Sequence, residues 1–281
     1  MKKIIFSLFF SVISACILAS SIPTVTVSIA PEKYFVQMIA KSSVDVNILT
    51  PNNVEAEYFS PTPQQLINLK NSDLYFQIGL LHFEATINSK IKSIAPNTQV
   101  INLSQNLNLT SNADPHIWLS VKNAQVMSQT IYNALCNKYP QNKAFYTKNY
   151  QKLQAHNVKL AKEMTFILKK FQGYSFITYH PAYSYFASEY GLNEVAIEQN
   201  GKEPSPQQMA NIIQLAKRNH IPTIFIQSQV NDKPALVIAK QIRAQVIVLN
   251  PMAENWPNNM LNIATKLSGS FQVGDYDSRS L

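Results

Sequence analysis

Apolar residues along this chain recur in two alternating rhythms. Short runs rich in β-branched side chains, at 25–29, 44–49, 74–78 and 99–103, read as strands. Between them, apolar positions three and four residues apart read as helices. Pro31 opens the first, in which Tyr34, Phe35, Met38 and Ile39 share a face. Residues 64–70 and a segment containing Ile91 and Ile94 supply the next two, and a helix over 121–139 stops at Pro140. The longest pattern covers 142–171. It spaces Leu153, Leu160, Ala161, Met164, Ile167, Leu168 and Phe171 at helical intervals, with no Pro or Gly before Gly173. At 1.5 Å per residue such a helix is about 45 Å long, more than one small domain needs, so it reads as a rigid strut. Beyond it the first rhythm resumes. Strands are predicted at 174–178, 195–197, 223–227 and 246–249, with helices at 183–190, from the Ser205 cap through Lys217, and at 233–244.

Strands alternating with helices imply a mostly parallel sheet with helices on both faces. A long helix interrupting that alternation implies two such sheets. The expected fold is therefore α/β, two open, mostly parallel α/β lobes joined by one long rigid helix. The boundaries are an N-terminal lobe over 22–141, the connecting helix over 142–171 and a C-terminal lobe over 172–281. A chain of 281 residues is long enough for both cores. Ligands of open sheets bind beyond the carboxyl ends of the strands, which places the expected cleft between the lobes.

Composition changes this picture only in part. The chain is 46% apolar and 14% charged, which excludes a disordered protein. Met1-Lys2-Lys3 and the apolar run 4–12 form a secretory address, too short to span a bilayer. Two processing sites compete. Ile13-Ser14-Ala15-Cys16 fits a lipobox, which removes 1–15 and leaves Cys16 as a lipid anchor. Ala19-Ser20-Ser21 fits ordinary cleavage of a 1–21 signal before Ile22, and the apolar character continuing to Leu18 favours it. Either way the expectation is an exported protein, in the periplasm or on the outer face of the membrane. Losing Lys2 and Lys3 lowers the net charge from +8 to +6. The remaining lysines are scattered and form no basic stripe with aromatics, so no nucleic-acid partner is expected. Cys136, on a helical pattern, then has no disulfide partner and reads as a buried thiol.

The candidate chemistry lies in two of five histidines. His116 sits in Asp114-Pro115-His116-Ile117-Trp118-Leu119, and His180 in Tyr179-His180-Pro181-Ala182-Tyr183, each at the end of a predicted element. Two neutral imidazoles brought together by a fold begin a divalent metal site. Neither belongs to an HExxH helix, so the site need not be catalytic. His156 reads as a solvated residue of the strut and His220 as a helix-end residue favoured there by the dipole. His82, near a strand end, is kept as a reserve ligand. The aromatics Tyr179, Tyr183, Tyr185 and Phe186 read as core and cleft wall.

With Ser60-Pro61-Thr62-Pro63, Asn71-Ser72-Asp73-Leu74, the His116 and His180 segments and Glu203-Pro204-Ser205-Pro206, in that order around a long helix, the chain resembles a known group. It is similar, from about residue 25 to the C-terminus, to the metal-binding substrate-binding proteins of ABC importers, the zinc and manganese uptake group of ZnuA and TroA type. The resemblance implies a metal held between the lobes, with His116 and His180 as ligands. It places Glu57 where relatives carry a first histidine, and Asn250 where many carry an aspartate. Gln227 or a water is the alternative fourth ligand, and Glu55, an alternative to Glu57, reads as a solvent-facing carboxylate. A carboxylate at position 57 moves preference towards harder ions such as manganese or ferrous iron. The loop rich in histidine and acids that zinc-specific relatives carry is absent from 103–112. Zn2+ is nevertheless the first expectation, because imidazole at His180 is typical of zinc-type relatives, with Mn2+ or Fe2+ next. The implied protein is a monomeric carrier, not an enzyme, delivering its ion to an ABC permease and, through it, an ATPase. No positioned base or substrate motif supports a metallohydrolase. A metal-free surface adhesin-type relative is the remaining alternative.

Overall fold

The computed structural model describes residues 22–51, 54–110, 113–199, 201–227 and 233–279. Both processing sites and Cys16 lie outside them. The N-terminal half runs β1 (Thr24–Val27), α1 (Ala30–Ala40), β2 (Asp45–Ile48), α2 (Pro63–Lys70), β3 (Leu74–Gln77), α3 (His82–Ile94), β4 (Gln99–Asn102) and α4 (Val121–Lys138). After α5 (Lys143–Leu168) come β5 (Ser175–Thr178), α6 (Ser184–Tyr190), β6 (Asn193–Ala196), α7 (Pro206–Arg218), β7 (Thr223–Ile226), α8 (Lys233–Ile242), β8 (Gln245–Val248) and α9 (Trp256–Arg279). No helix among the described residues is long and apolar enough to cross a membrane.

Two four-stranded parallel sheets result, ordered β2-β1-β3-β4 and β6-β5-β7-β8. The architecture is the α/β, two-lobed one expected. In each sheet the order reverses beside the first strand, so a crevice opens past the carboxyl ends of β1 and β3 and of β5 and β7. Central strands are covered on both faces: Leu74, Tyr75 and Phe76 of β3 are all fully buried, as parallel sheets require.

The same local device braces both lobes. Thr62-Pro63-Gln64-Gln65 and Ser205-Pro206-Gln207-Gln208 each form a capping box with Pro in the first turn. Gln65 Nε2 then donates to the Leu49 carbonyl at 2.7 Å, tying the start of α2 to the end of β2. Gln208 Nε2 donates to Gln199 Oε1 at 2.9 Å, tying α7 to the segment after β6. The turn after β3 is fixed by the buried Glu84 carboxylate, which accepts N–H bonds from Ile78, Gly79 and Leu81 and the Ser28 hydroxyl. Gly79 has φ +85°, and a Cβ there would lie 2.1 Å from Asn102 Oδ1, so only glycine fits. Glu194 does the same for the turn after β5, accepting the Ala182 and Tyr183 N–H groups and the Thr178 hydroxyl.

Helix α5 spans 26 residues, about 39 Å. Its inner face, Tyr146, Asn149, Leu153, Asn157, Leu160, Met164 and Leu168, is buried against α1, α4 and α9. The start of α9 crosses back to the N-terminal half. Trp256 packs 4.9 Å from Phe35, and its Nε1 donates to the Trp118 carbonyl at 2.7 Å while Trp118 Nε1 donates to the Pro251 carbonyl at 2.7 Å. One apolar core thus continues through α5 and α9 into the near side of the second sheet, and a smaller core around Ile177, Ile197, Ile224 and Ile238 fills its far side.

Candidate metal centre

Each candidate ligand leaves the carboxyl end of a strand. Glu57 lies in a 3₁₀ turn (Ala56–Tyr58) between β2 and α2, in a segment whose two ends the Gln65–Leu49 bond ties together. His116 precedes a second 3₁₀ turn (Ile117–Leu119) after β4, whose Trp118 is pinned by the indole exchange with the segment before α9. His180 follows β5 directly. The three come together at the mouth of the cleft: Glu57 Oε1 is 3.9 Å from His116 Nε2 and 3.5 Å from His180 Nε2. The two imidazole rings stand 5.3 Å apart, nearly edge to face. A tetrahedral ion with bonds near 2.1 Å separates its donors by about 3.4 Å, so these spacings suit one.

The far side of each ring decides which nitrogen faces the centre. His116 Nδ1 lies 2.7 Å from Asp114 Oδ1, and His180 Nδ1 lies 3.2 Å from Glu198 Oε1. Carboxylates there accept Nδ1–H and leave Nε2 of both rings free to coordinate, the arrangement that orients histidine ligands and makes them more basic. His180 Nε2 is buried and has no hydrogen-bond partner among the described residues. A buried nitrogen that reaches only a carboxylate oxygen, at 3.5 Å, is satisfied either by carrying a proton itself or by binding a cation.

Burial alone would lower the His180 imidazole, but the Glu198 carboxylate on Nδ1 and the Glu57 carboxylate facing Nε2 outweigh it and push it up to about 10. Burial raises Glu57, yet His180 facing it and the charges of the two nearby histidines hold it below its ordinary range. Asp114 is likewise raised by burial and pulled lower by His116 and the Ser184 hydroxyl. Glu55 goes the other way, lifted chiefly by burial, with Glu198 and Glu57 adding to the rise against His180. At neutral pH His180 thus carries a proton among carboxylates.

Of the residues expected from sequence, the fold brings Glu57, His116 and His180 together. Asn250 is engaged elsewhere: its Oδ1 accepts the Met252 N–H at 2.9 Å and its carbonyl accepts from Asn259 Nδ2. Gln227 is buried just past β7, with Nε2 unpartnered among the described residues. Glu55 is not the solvent-facing carboxylate expected: its side chain is 21% exposed and its Oε1 stands 3.4 Å from His180 Nδ1. His82 opens α3 on the cleft wall and joins neither group of potential ligands. His156 meets the Tyr34 hydroxyl, at 3.5 Å, and His220 adopts φ +48° past the end of α7. Glu198 was missed. Its only signal is its distance past β6, the same two residues that separate His180 from β5. The cleft they border has a volume of about 750 Å³ and is lined by Glu57, Asp114, His180, Ser184 and Glu198 among others.

Known proteins similar to this chain are metal-binding ones. The chain is 30% identical over 243 residues to the high-affinity zinc uptake system protein ZnuA of Bacillus subtilis, covering 79% of this chain and 76% of that one. It is 28% identical over 225 residues to the iron-binding protein YfeA of Yersinia pestis, covering 74% and 70%. Its fold superposes on a crystal structure of ZnuA with a TM-score of 0.85 at 34% identity, over 88% of this chain and 98% of that one. Residues 25–269 match the family described as zinc-uptake complex component A, periplasmic, and the chain belongs to that family of metal-binding ABC substrate-binding proteins.

Proposed function

We propose that this protein captures one divalent transition-metal ion outside the cytoplasm and hands it to an ABC permease driven by its ATPase. Glu57 Oε1, His116 Nε2 and His180 Nε2 hold the ion. The fourth position goes to a water, since Asn250 Oδ1 already accepts the Met252 N–H. The observation that carries the reading is the buried, unpartnered His180 Nε2 facing Glu57 Oε1 at 3.5 Å. Zinc is the first choice, since two imidazoles and one carboxylate form the usual zinc donor set. The single negative ligand charge also leaves manganese and ferrous iron within reach. The carrier role is supported by the family of the chain and by a site built from loops of both sheets, which release can open by shifting the lobes.

The test is thermal melting of the metal-free mature protein with zinc, manganese or ferrous iron added. An ion that binds only the folded state at 100 times its Kd adds about 2.7 kcal/mol. A rise in Tm with one ion, lost in Glu57→Ala and His116→Ala, is the expected result. No rise with any of the three sinks the proposal.

A further inference from the structure

His180 is flanked by carboxylates on both ring nitrogens. On the Nε2 side stand Glu57 and, beside it, His116. On the Nδ1 side stand Glu198 Oε1 at 3.2 Å and Glu55 Oε1 at 3.4 Å. One Nδ1–H serves only one of these oxygens well, and Glu198 takes it. Glu55 Oε1 is left buried with no hydrogen-bond partner among the described residues. A carboxylate oxygen out of water and without a donor is costly unless a cation faces it. The ligand atoms of Glu55, His180 and Glu198 lie within 4.8 Å of one another, as closely grouped as those of Glu57, His116 and His180. Glu198 also lines the open cleft, so an ion has a path to this side.

We propose that the centre offers its ion two alternative positions that share His180, one on Nε2 with Glu57 and His116, the other on Nδ1 with Glu55 and Glu198. A neutral imidazole donates a lone pair from one nitrogen while the other carries hydrogen, so the two positions exclude each other and one ion is bound. With the ion on Nε2, Nδ1–H donates to Glu198. With the ion on Nδ1, the proton resides on Nε2 and Glu57 accepts it. Moving between positions therefore exchanges the ion and one proton between the two nitrogens, the proton passing through solvent, with no change in total charge. The positions differ in hardness. Two imidazoles and one carboxylate suit zinc, whereas one imidazole and two carboxylates suit manganese or ferrous iron. The inference rests on the reading of the centre as a cation site, and extends it to which residues select the ion.

The experiment loads the mature protein, Glu57→Ala and Glu57→Ala/Glu198→Gln with Zn2+ or Mn2+. Bound ion is counted after gel filtration, and coordinated imidazoles are counted by X-ray absorption for zinc and pulsed electron paramagnetic resonance for manganese. Two imidazoles on zinc and one on manganese are expected in the unmodified protein. Glu57→Ala keeps manganese with one imidazole, and adding Glu198→Gln weakens that binding by about tenfold or more. Should the double variant fail to fold by circular dichroism, Glu57→Ala/Glu55→Gln takes its place with the same expected loss. Two imidazoles around both ions, with manganese lost as fully as zinc in Glu57→Ala, overturn the second position and leave the capture centre standing. Failure of the unmodified protein to bind either ion overturns the capture reading itself.

Discussion

Asp114 and Ser184 join the two lobes across the cleft, the Ser184 hydroxyl at the start of α6 donating to Asp114 Oδ2. The other oxygen of the same carboxylate accepts His116 Nδ1 at 2.7 Å and the His116 main-chain N–H at 2.9 Å. Tyr185 adds a hydroxyl to the Asp114 carbonyl at 3.0 Å. One side chain therefore orients the candidate ligand His116 and bridges the cleft. An ion on His116 Nε2 would draw electron density from the ring and strengthen the Nδ1–H bond to Asp114, a link between the proposed site and the cross-cleft contact.

That link separates two substitutions. Asp114→Asn removes the carboxylate that orients His116 through Nδ1 and is expected to weaken metal binding by about 10–100-fold. Ser184→Ala keeps the Asp114–His116 bond and removes only the cross-cleft contact, so its loss should be a few-fold at most, about 1 kcal/mol for one hydrogen bond. Competition against a chromophoric chelator measures both. Equal losses would mean that Asp114 acts through closure alone.

Proton release gives a second check. His180 stands at about 10 in the folded, metal-free protein, against about 6.5 in an unfolded chain. Because the folded value is the higher, the protonated ring stabilises the fold. That contribution is fully present below about pH 6.5, declines as pH rises, and is gone above about pH 10. An ion on His180 must displace this proton, so its apparent affinity should rise about tenfold per pH unit between roughly pH 7 and 9. Calorimetry in two buffers of different ionisation enthalpy counts the proton directly. If none is released, His180 is neutral before the metal arrives.

Much of this was legible in the chain, and the reasons are local. Strands such as Thr24–Val27 and Thr223–Ile226 carry β-branched and aromatic runs between turn residues. The capping boxes at Thr62 and Ser205 announce their helices by type and spacing. Helix α9 was not read, although Met260, Ile263, Ala264, Leu267 and Phe271 fall at helical spacing. Gly269, Gly274 and scattered polar residues dilute the pattern. Glu198 was hidden for a different reason. It sits in Ile197-Glu198-Gln199, which reads as a polar loop, and only the register Thr178↔Ala196 carries it level with His180. The Glu198 N–H bond to the Tyr179 carbonyl, 2.9 Å, extends that pairing to the site. Sheet pairing is a long-range fact that no local window contains.

The brace behind Glu57 yields a third prediction. Gln65 Oε1 accepts the Thr62 N–H at 2.7 Å while its Nε2 holds the Leu49 carbonyl. Gln65→Ala breaks both bonds and should cost about 1–2 kcal/mol of stability. It should also weaken metal binding, because the turn bearing Glu57 loses its tie to β2. Gln208→Ala, the counterpart in the other lobe, should cost similar stability and disturb the Glu198 side instead. Melting and chelator competition on the two variants separate these effects, and unchanged metal affinity in Gln65→Ala would show that the turn is held by other contacts.

The inner face of α5 contains one residue that works against the fold. Asn157 is 1% exposed, lies between Leu153 and Leu160 on the buried stripe, and has no hydrogen-bond partner for either Nδ2 or Oδ1 among the described residues. Leaving buried polar groups unpaired costs about 1–3 kcal/mol, and an apolar group of similar shape removes that cost. Leucine shares the branching of asparagine, though it is bulkier, and fits the helix better than asparagine does. Asn157→Leu is therefore expected to stabilise the protein by about 1–2 kcal/mol, a Tm gain of about 2–4 °C per kcal/mol in a chain of this length. Asn157→Ala separates the two contributions, since it also removes the unpaired amide but leaves a void. A lower Tm in Asn157→Leu would show instead that the amide is paired in solution, through water held between α5 and its neighbours.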